Sequence, residues 1–197
     1  EAIGATLYEA VDRCTTSEPD YLVMGMSALM FWDGRDASEK RMQTLSDHCG
    51  LSVSAGSFAC EAALNLYKVK KIAVISPYFP ISDKNVTLFF QDCGFEVVRF
   101  RGLKCPSPVA IAEVQEETLR DHVSEMDGDD VDAFVQVGTN CGLIGKNAAV
   151  EVFPVLRYGV IQIDTGNTNL RFNRCGTSPD HWRRHFATRA SVFLYFF

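Results

Sequence analysis

Short apolar runs rich in β-branched residues alternate along the chain with segments whose apolar positions recur every three or four residues, the pattern of a parallel β/α fold. The runs predict strands at 21–24, 51–53, 71–76, 95–100, 133–137 and 160–163. Helices are predicted at 1–14, where Ile3, Leu7 and Val11 share a face, and at 37–49, 55–67, 83–93, 108–126 and 143–156. Cys93-Gly94 closes one helix, Ser82 after Pro80 is placed to cap another, and Gly128 turns the acidic 127–130 segment. A strand opening into a polar loop at 25–34 is echoed by one opening into 138–142. The fold class expected is therefore α/β, two pseudo-symmetric β/α lobes with mostly parallel, four-stranded sheets. Ligands in such folds sit beyond the carboxyl ends of the strands. Because the chain starts inside a helix, it reads as lacking a first strand. Residues 1–168 are expected to form one continuous two-lobed unit, and 169–197 an atypical tail.

Composition narrows the class. The 197 residues are 47% hydrophobic and 22% charged, enough to bury a substantial core. A net charge of −6 supplies no overall positive field for a phosphate backbone, so nucleic acid is not expected as a partner. The charge is uneven: residues 169–197 hold five arginines and one aspartate, +4, which leaves −10 on the rest. The apolar end, 191–197, is too short to span a bilayer, and no charged-then-apolar leader opens the chain, so neither membrane anchor nor signal peptide is expected. Seven cysteines, at 14, 49, 60, 93, 105, 141 and 175, form no Cys-x-x-Cys pair and have no histidine at ligand spacing. A metal site or disulfide framework is not expected, and the thiols suit a reducing cytoplasm. His181 and His185 lack the glutamate of a metalloprotease helix, and the 127–130 segment lacks the distal glutamate of a calcium loop.

Three segments could carry chemistry. Gly25-Met26-Ser27 follows the first strand and offers backbone amides and a hydroxyl to a carboxylate or oxyanion. Gly138-Thr139-Asn140-Cys141-Gly142 lies between a strand and a helix, which puts Cys141 near a helix N-terminus where thiolate is favoured. Between them, Ser76-Pro77-Tyr78 ends a buried strand; Tyr78 is either a packing aromatic or a phenol held rigidly to donate to a carboxylate. Cys60, within a helix, reads as structural.

These segments together resemble the aspartate/glutamate racemase superfamily, in its branch of arylmalonate decarboxylases and maleate cis-trans isomerases. The likeness runs over 21–163. It rests on Val23-Met24-Gly25-Met26-Ser27 with Phe31-Trp32-Asp33-Gly34, on Ile72-Ala73-Val74-Ile75-Ser76-Pro77-Tyr78, on Cys93-Gly94-Phe95-Glu96-Val97-Val98, and on Asp132-Ala133 with Gly138-Thr139-Asn140-Cys141-Gly142. The resemblance implies two lobes around one site, a small dicarboxylate substrate, and no cofactor or metal. Racemising members carry a thiol on each lobe; here only the second loop has one, which implies proton delivery from one side. On this reading Cys141 is catalytic, and Gly25, Met26, Ser27, Tyr78, Asn140 and Gly142 bind substrate. The activity implied is decarboxylation of a 2-substituted malonate, with maleate-type isomerisation or amino-acid and hydantoin-type racemisation as alternatives. Met26 stands where arylmalonate decarboxylases have a threonine. With the missing first strand and the tail, that also leaves a carboxylate-binding remnant without turnover as an expectation.

Overall fold

The computed structural model describes residues 2–138, 158–163 and 189–194, with residues 2–5, 27 and the two later segments as backbone only. Helix α1, Ala2–Thr15, leads into strand β1, Tyr21–Met24, then a single turn, α2, Ser27–Met30, and α3, Gly34–Cys49. Strand β2, Ser52–Ala55, runs parallel to β1 with Tyr21 opposite Ser52 and Met24 opposite Ala55. Helix α4, Gly56–Leu66, strand β3, Lys71–Ser76, helix α5, Pro80–Asp92, and strand β4, Glu96–Gly102, follow as β/α units. Then come α6, Pro108–Ala112, α7, Glu116–Met126, and strands β5, Ala133–Gln136, β6, Tyr158–Ile163, and β7, Arg189–Leu194.

Among the described residues all strand pairs are parallel, as the alternation predicts. Their grouping differs from two four-stranded sheets: β1 and β2 form a two-stranded sheet, and the other five run in the order β4-β3-β5-β7-β6. The fifth strand of the larger sheet comes from the tail. Residues 189–194, read from sequence as outside the pattern, pair with β5 on one side and β6 on the other. The predicted helix at 143–156 lies outside the described residues.

Strand β3 shows why its sequence is apolar throughout. Ile72 and Val74 join Val86, Phe89, Phe90, Ala133 and Val135 on one face, whereas Ala73 and Ile75 join Leu119, Val123, Met126 and Phe134 on the other. A strand covered by helices on both faces has no polar side to show. A third cluster, Val11, Met30, Met42, Leu45 and Ala55, closes the smaller sheet under α1 and α3. The two sheets meet through aromatics: Phe31 packs edge-on to Phe89 at 5.2 Å, and Phe58 touches both clusters.

Two local differences have physical causes. The helix expected over 108–126 is two helices, broken at Gln115, whose ψ of 152° is extended. In an unbroken helix Val114 would point well away from the Leu119, Val123 and Met126 stripe; the break returns it to that core. Ser82 is not the cap of α5. Phe79 holds that position, and Pro80 opens the helix, where its fixed φ fits and its missing N–H costs nothing. The start of α3 is held from a distance. Asp33 is left-handed and gives no side-chain cap, so Asp92 of α5 accepts the Arg35 N–H at 3.0 Å and Asn85 accepts the Asp33 N–H at 2.9 Å. The adjoining Gly34, at φ +82°, has no room for a Cβ because the Asp92 carboxylate already stands there.

Candidate active site

The site is built on the carboxyl ends of β1, β3 and β5, where the parallel arrangement directs its loops. Gly25 and Met26 leave β1 and α2 begins at Ser27; Met26 is 45% exposed and contributes no cap to that turn. At the end of β3, Ser76 and Pro77 are buried and Tyr78 is half-buried against the main core. The Tyr78 N–H donates to Ser76 Oγ at 3.1 Å. Backbone bonds from Leu103 N–H to the Ser76 carbonyl, 2.7 Å, and from Cys105 N–H to the Pro77 carbonyl, 2.9 Å, extend the β3–β4 pairing past the strand end. Tyr78 therefore leaves a turn that is fixed on both sides.

Strand β5 lies beside β3, with Gln136 opposite Ile75. The chain then reaches Gly138, at φ +97°, a conformation that disfavours any side chain. A Cβ there would lie 2.6 Å from Pro77 Cδ and 3.5 Å from Tyr78 Cζ. The carbon bearing the phenol oxygen thus lies on the side of Gly138 where a side chain would project. Asn140, Cys141 and Gly142 fall outside the described residues, as does the side chain of Ser27. The two ends brought together are those of Tyr78 and Gly138.

Electrostatics separate the described thiols. Cys60 is fully buried in α4 and burial pushes its thiol well above the ordinary range. Burial, followed by the nearby Glu61 carboxylate, pushes Cys93 up to about 12. Desolvation also raises Cys105. Since the thiolate is the reacting form, Cys60 and Cys93 are expected to stay unmodified by iodoacetamide at pH 8 in the folded chain while the exposed Cys14 is labelled. Peptide mass mapping checks this; labelling of Cys93 at the rate of Cys14 would contradict it. The reading of Cys60 as structural agrees with its burial.

Glu61 has a second role. Its carboxylate accepts from Arg35 Nε at 2.9 Å while Glu39 meets the same guanidinium at 3.0 Å, joining α3 to α4. His48 and His122 pair with Asp12 and Glu125, at 2.6 and 3.4 Å. Among the described residues no three His, Cys, Asp or Glu side chains gather as a metal site, and no helix is long and apolar enough to cross a membrane. Sequence reasoning missed Asp83, in the first turn of α5, whose carboxyl lies over the backbone of Gly102. The conjunction of a first-turn acid with a glycine closing the neighbouring strand was its only signal.

A family description, arylmalonate decarboxylase, matches residues 18–161. The chain belongs to the arylmalonate decarboxylase family, within the aspartate/glutamate racemase superfamily. A maleate isomerase from Pseudomonas putida KT2440 is 34% identical over 100 residues, half of this chain and 40% of that protein. The chain thus spans well under two thirds of that relative. Three solved structures share the fold at low identity. Maleate isomerase from Pseudomonas putida S16, a variant crystallised with maleate, superposes with a TM-score of 0.69 at 19% identity, covering 80% of this chain and 64% of that one. Arylmalonate decarboxylase superposes at 0.64 and 18%, covering 79% and 67%. A Nocardia farcinica maleate cis-trans isomerase variant carrying a covalently bound succinylcysteine superposes at 0.66 and 15%, covering 70% and 58%.

Proposed function

We propose that the chain carries the site of a cofactor-independent decarboxylase acting on small 2-substituted malonates. The observation that supports it most is the position of Tyr78 Cζ, 3.5 Å from where a side chain at position 138 would begin, at the entrance of the loop whose sequence bears the candidate thiol. One substrate carboxylate accepts hydrogen bonds from the hydroxyls of Ser27 and Tyr78 and from amides of the Met26–Ser27 and Cys141–Gly142 turns, with Gly25 and Asn140 shaping the loops. The other carboxylate faces apolar surface. Its bond to the α-carbon breaks and CO2 leaves. The electron pair passes to the α-carbon and spreads over the held carboxylate as an enediolate, which the nest stabilises as charge develops. Cys141 gives its Sγ proton to one face of that carbon and is reprotonated from water.

Met26 removes one hydroxyl donor from the nest, so more of the charge falls on Tyr78. Tyr78→Phe is expected to lower kcat/KM about 10- to 150-fold, the worth of about 1.5–3 kcal/mol for a hydrogen bond to a charged group. Unchanged kinetics with an unchanged Tm would show that the phenol does not touch substrate.

The maleate isomerase relative and the succinylcysteine seen in the Nocardia enzyme favour one second reading, in which the Cys141 thiolate adds to an alkene diacid, rotation follows, and elimination restores the thiolate. Two-base racemisation is less well served, because Gly25-Met26-Ser27 offers no thiol on the opposite side. CO2 release from a 2-substituted malonate tests the first reading and fumarate formation from maleate the second. Binding of both diacids with neither product formed would identify a carboxylate-binding chain without turnover.

A further inference from the structure

Helix α4 begins without a cap. Its N-cap residue, Ala55, has no side chain that can accept a hydrogen bond, and no acidic residue stands in the first turn. The first turn of any helix leaves N–H groups without intrahelical partners. Those of Gly56, Ser57 and Phe58 meet no acceptor among the described residues. Exposure to water does not explain this, because Ala55, Gly56 and Ser57 are all buried. The Ser57 side chain is fully buried as well, and its hydroxyl has no hydrogen-bond partner. Side chains on a helix lean toward its N-terminus, so this hydroxyl, on the second residue, projects to the end from which those N–H groups point. Three backbone donors and a hydroxyl therefore converge where the helix dipole adds partial positive charge. Buried donors left unpaired are costly, so an acceptor belongs there, and an anion suits the donors best.

The place of this terminus ties it to the candidate site. Strands β1 and β2 run parallel with Met24 opposite Ala55, so the Gly25-Met26-Ser27 loop and the start of α4 leave neighbouring strand ends about 5 Å apart. Helix α4 also packs against α2, which Ser27 opens. We propose that the N-terminus of α4, with the Ser57 hydroxyl, is a subsite for a further carboxylate carried on the 2-substituent of the substrate. The inference rests on the reading of the chain as a malonate decarboxylase and narrows it. In that reaction one malonate carboxylate is held in the nest and the other leaves from an apolar surface, so neither occupies these donors. A carboxylate one or two methylenes along the 2-substituent spans the distance between adjacent strand ends. The substrate class is then a 2-(carboxyalkyl)malonate, a tricarboxylate. An aryl or alkyl substituent in its place would leave the buried donors unpaired, and that penalty sets the preference.

The test compares 2-(2-carboxyethyl)malonate with its isostere 2-isopentylmalonate on the full chain. The tricarboxylate should be decarboxylated with a kcat/KM at least about 100-fold higher. Ser57→Ala should lower kcat/KM about tenfold on the tricarboxylate and less than about twofold on isopentylmalonate. Amide NMR on the parent chain gives a readout that needs neither turnover nor a variant. Propane-1,2,3-tricarboxylate should shift the Gly56, Ser57 and Phe58 N–H resonances, and dimethylmalonate, which has no third carboxylate, should leave them in place. Unmoved resonances with the tricarboxylate in excess would overturn the proposal. So would a parent chain that does not prefer the tricarboxylate, or an equal loss on both malonates in Ser57→Ala. If no malonate releases CO2 while these resonances still shift, the decarboxylase reading fails and the carboxylate subsite stands.

Discussion

Cys141→Ala is expected to lower turnover of the accepted diacid about 10²- to 10⁴-fold, the usual contribution of a positioned proton donor, while a non-reacting dicarboxylate stays bound. The size of the effect follows from the absence of a substitute. The first loop has no thiol at Gly25-Met26-Ser27, and burial in and around α4 makes Cys60 and Cys93 weaker acids and poorer proton donors. No described cysteine in that region can take over the proton. On the proposed mechanism binding should survive, because the held carboxylate would meet hydroxyls and amides rather than sulfur. A drop in kcat with little change in KM is the expected signature of a thiol that acts only as the carbon is protonated. Equal loss of binding and turnover would mean that Cys141 shapes the loop instead.

Phe89→Ala should give the largest loss of stability, about 3–5 kcal/mol, or about 6–20 °C in Tm for a domain of this size. Phe89 is fully buried and meets three rings edge-on: Phe31 at 5.2 Å, Phe90 at 5.6 Å and Phe58 at 5.8 Å. Removing it opens a cavity between the two sheets and frees Phe31, the residue after α2. Activity should therefore fall more than the folded fraction does, because the Gly25–Met26 turn loses its support. Leu88→Ala, on the exposed neighbour, is the control and should change stability by less than about 0.5 kcal/mol. Thermal melts followed by circular dichroism separate the two. A Phe89→Ala loss no larger than that of Leu88→Ala would show that the aromatic contacts do not join the sheets.

The β/α order was legible because burial on both faces of β3 writes a continuous apolar run, and because helix lengths and strand lengths differ. The strand at 71–76 and the loops after 24, 76 and 137 follow from local pattern alone. Sheet membership did not. Pairing of 189–194 between β5 and β6 is a long-range event that neither periodicity nor composition encodes, and a stretch with five arginines nearby reads as alien to a core. The break at Gln115 was hidden because 108–126 holds no glycine, and its proline opens the segment, so only the position of Val114 relative to the α7 stripe reveals it. Of the candidate site, Tyr78 was visible as a rigid strand end, but its neighbour was not. That Gly138 lies against Pro77 and the phenol, and that Asp83 reaches Gly102, depend on three strand ends meeting in space.

In the proposed decarboxylation one thiol delivers one proton to one face of a malonate-derived carbanion. The most direct measurement is the decarboxylation of a prochiral 2,2-disubstituted malonate in D2O, with the product resolved by chiral chromatography and its deuterium located by mass spectrometry. The expected result is a single enantiomer carrying one deuterium at the former malonate carbon, formed by the parent chain and lost in Cys141→Ala. A racemic product, or the same product formed at the same rate without Cys141, would contradict it.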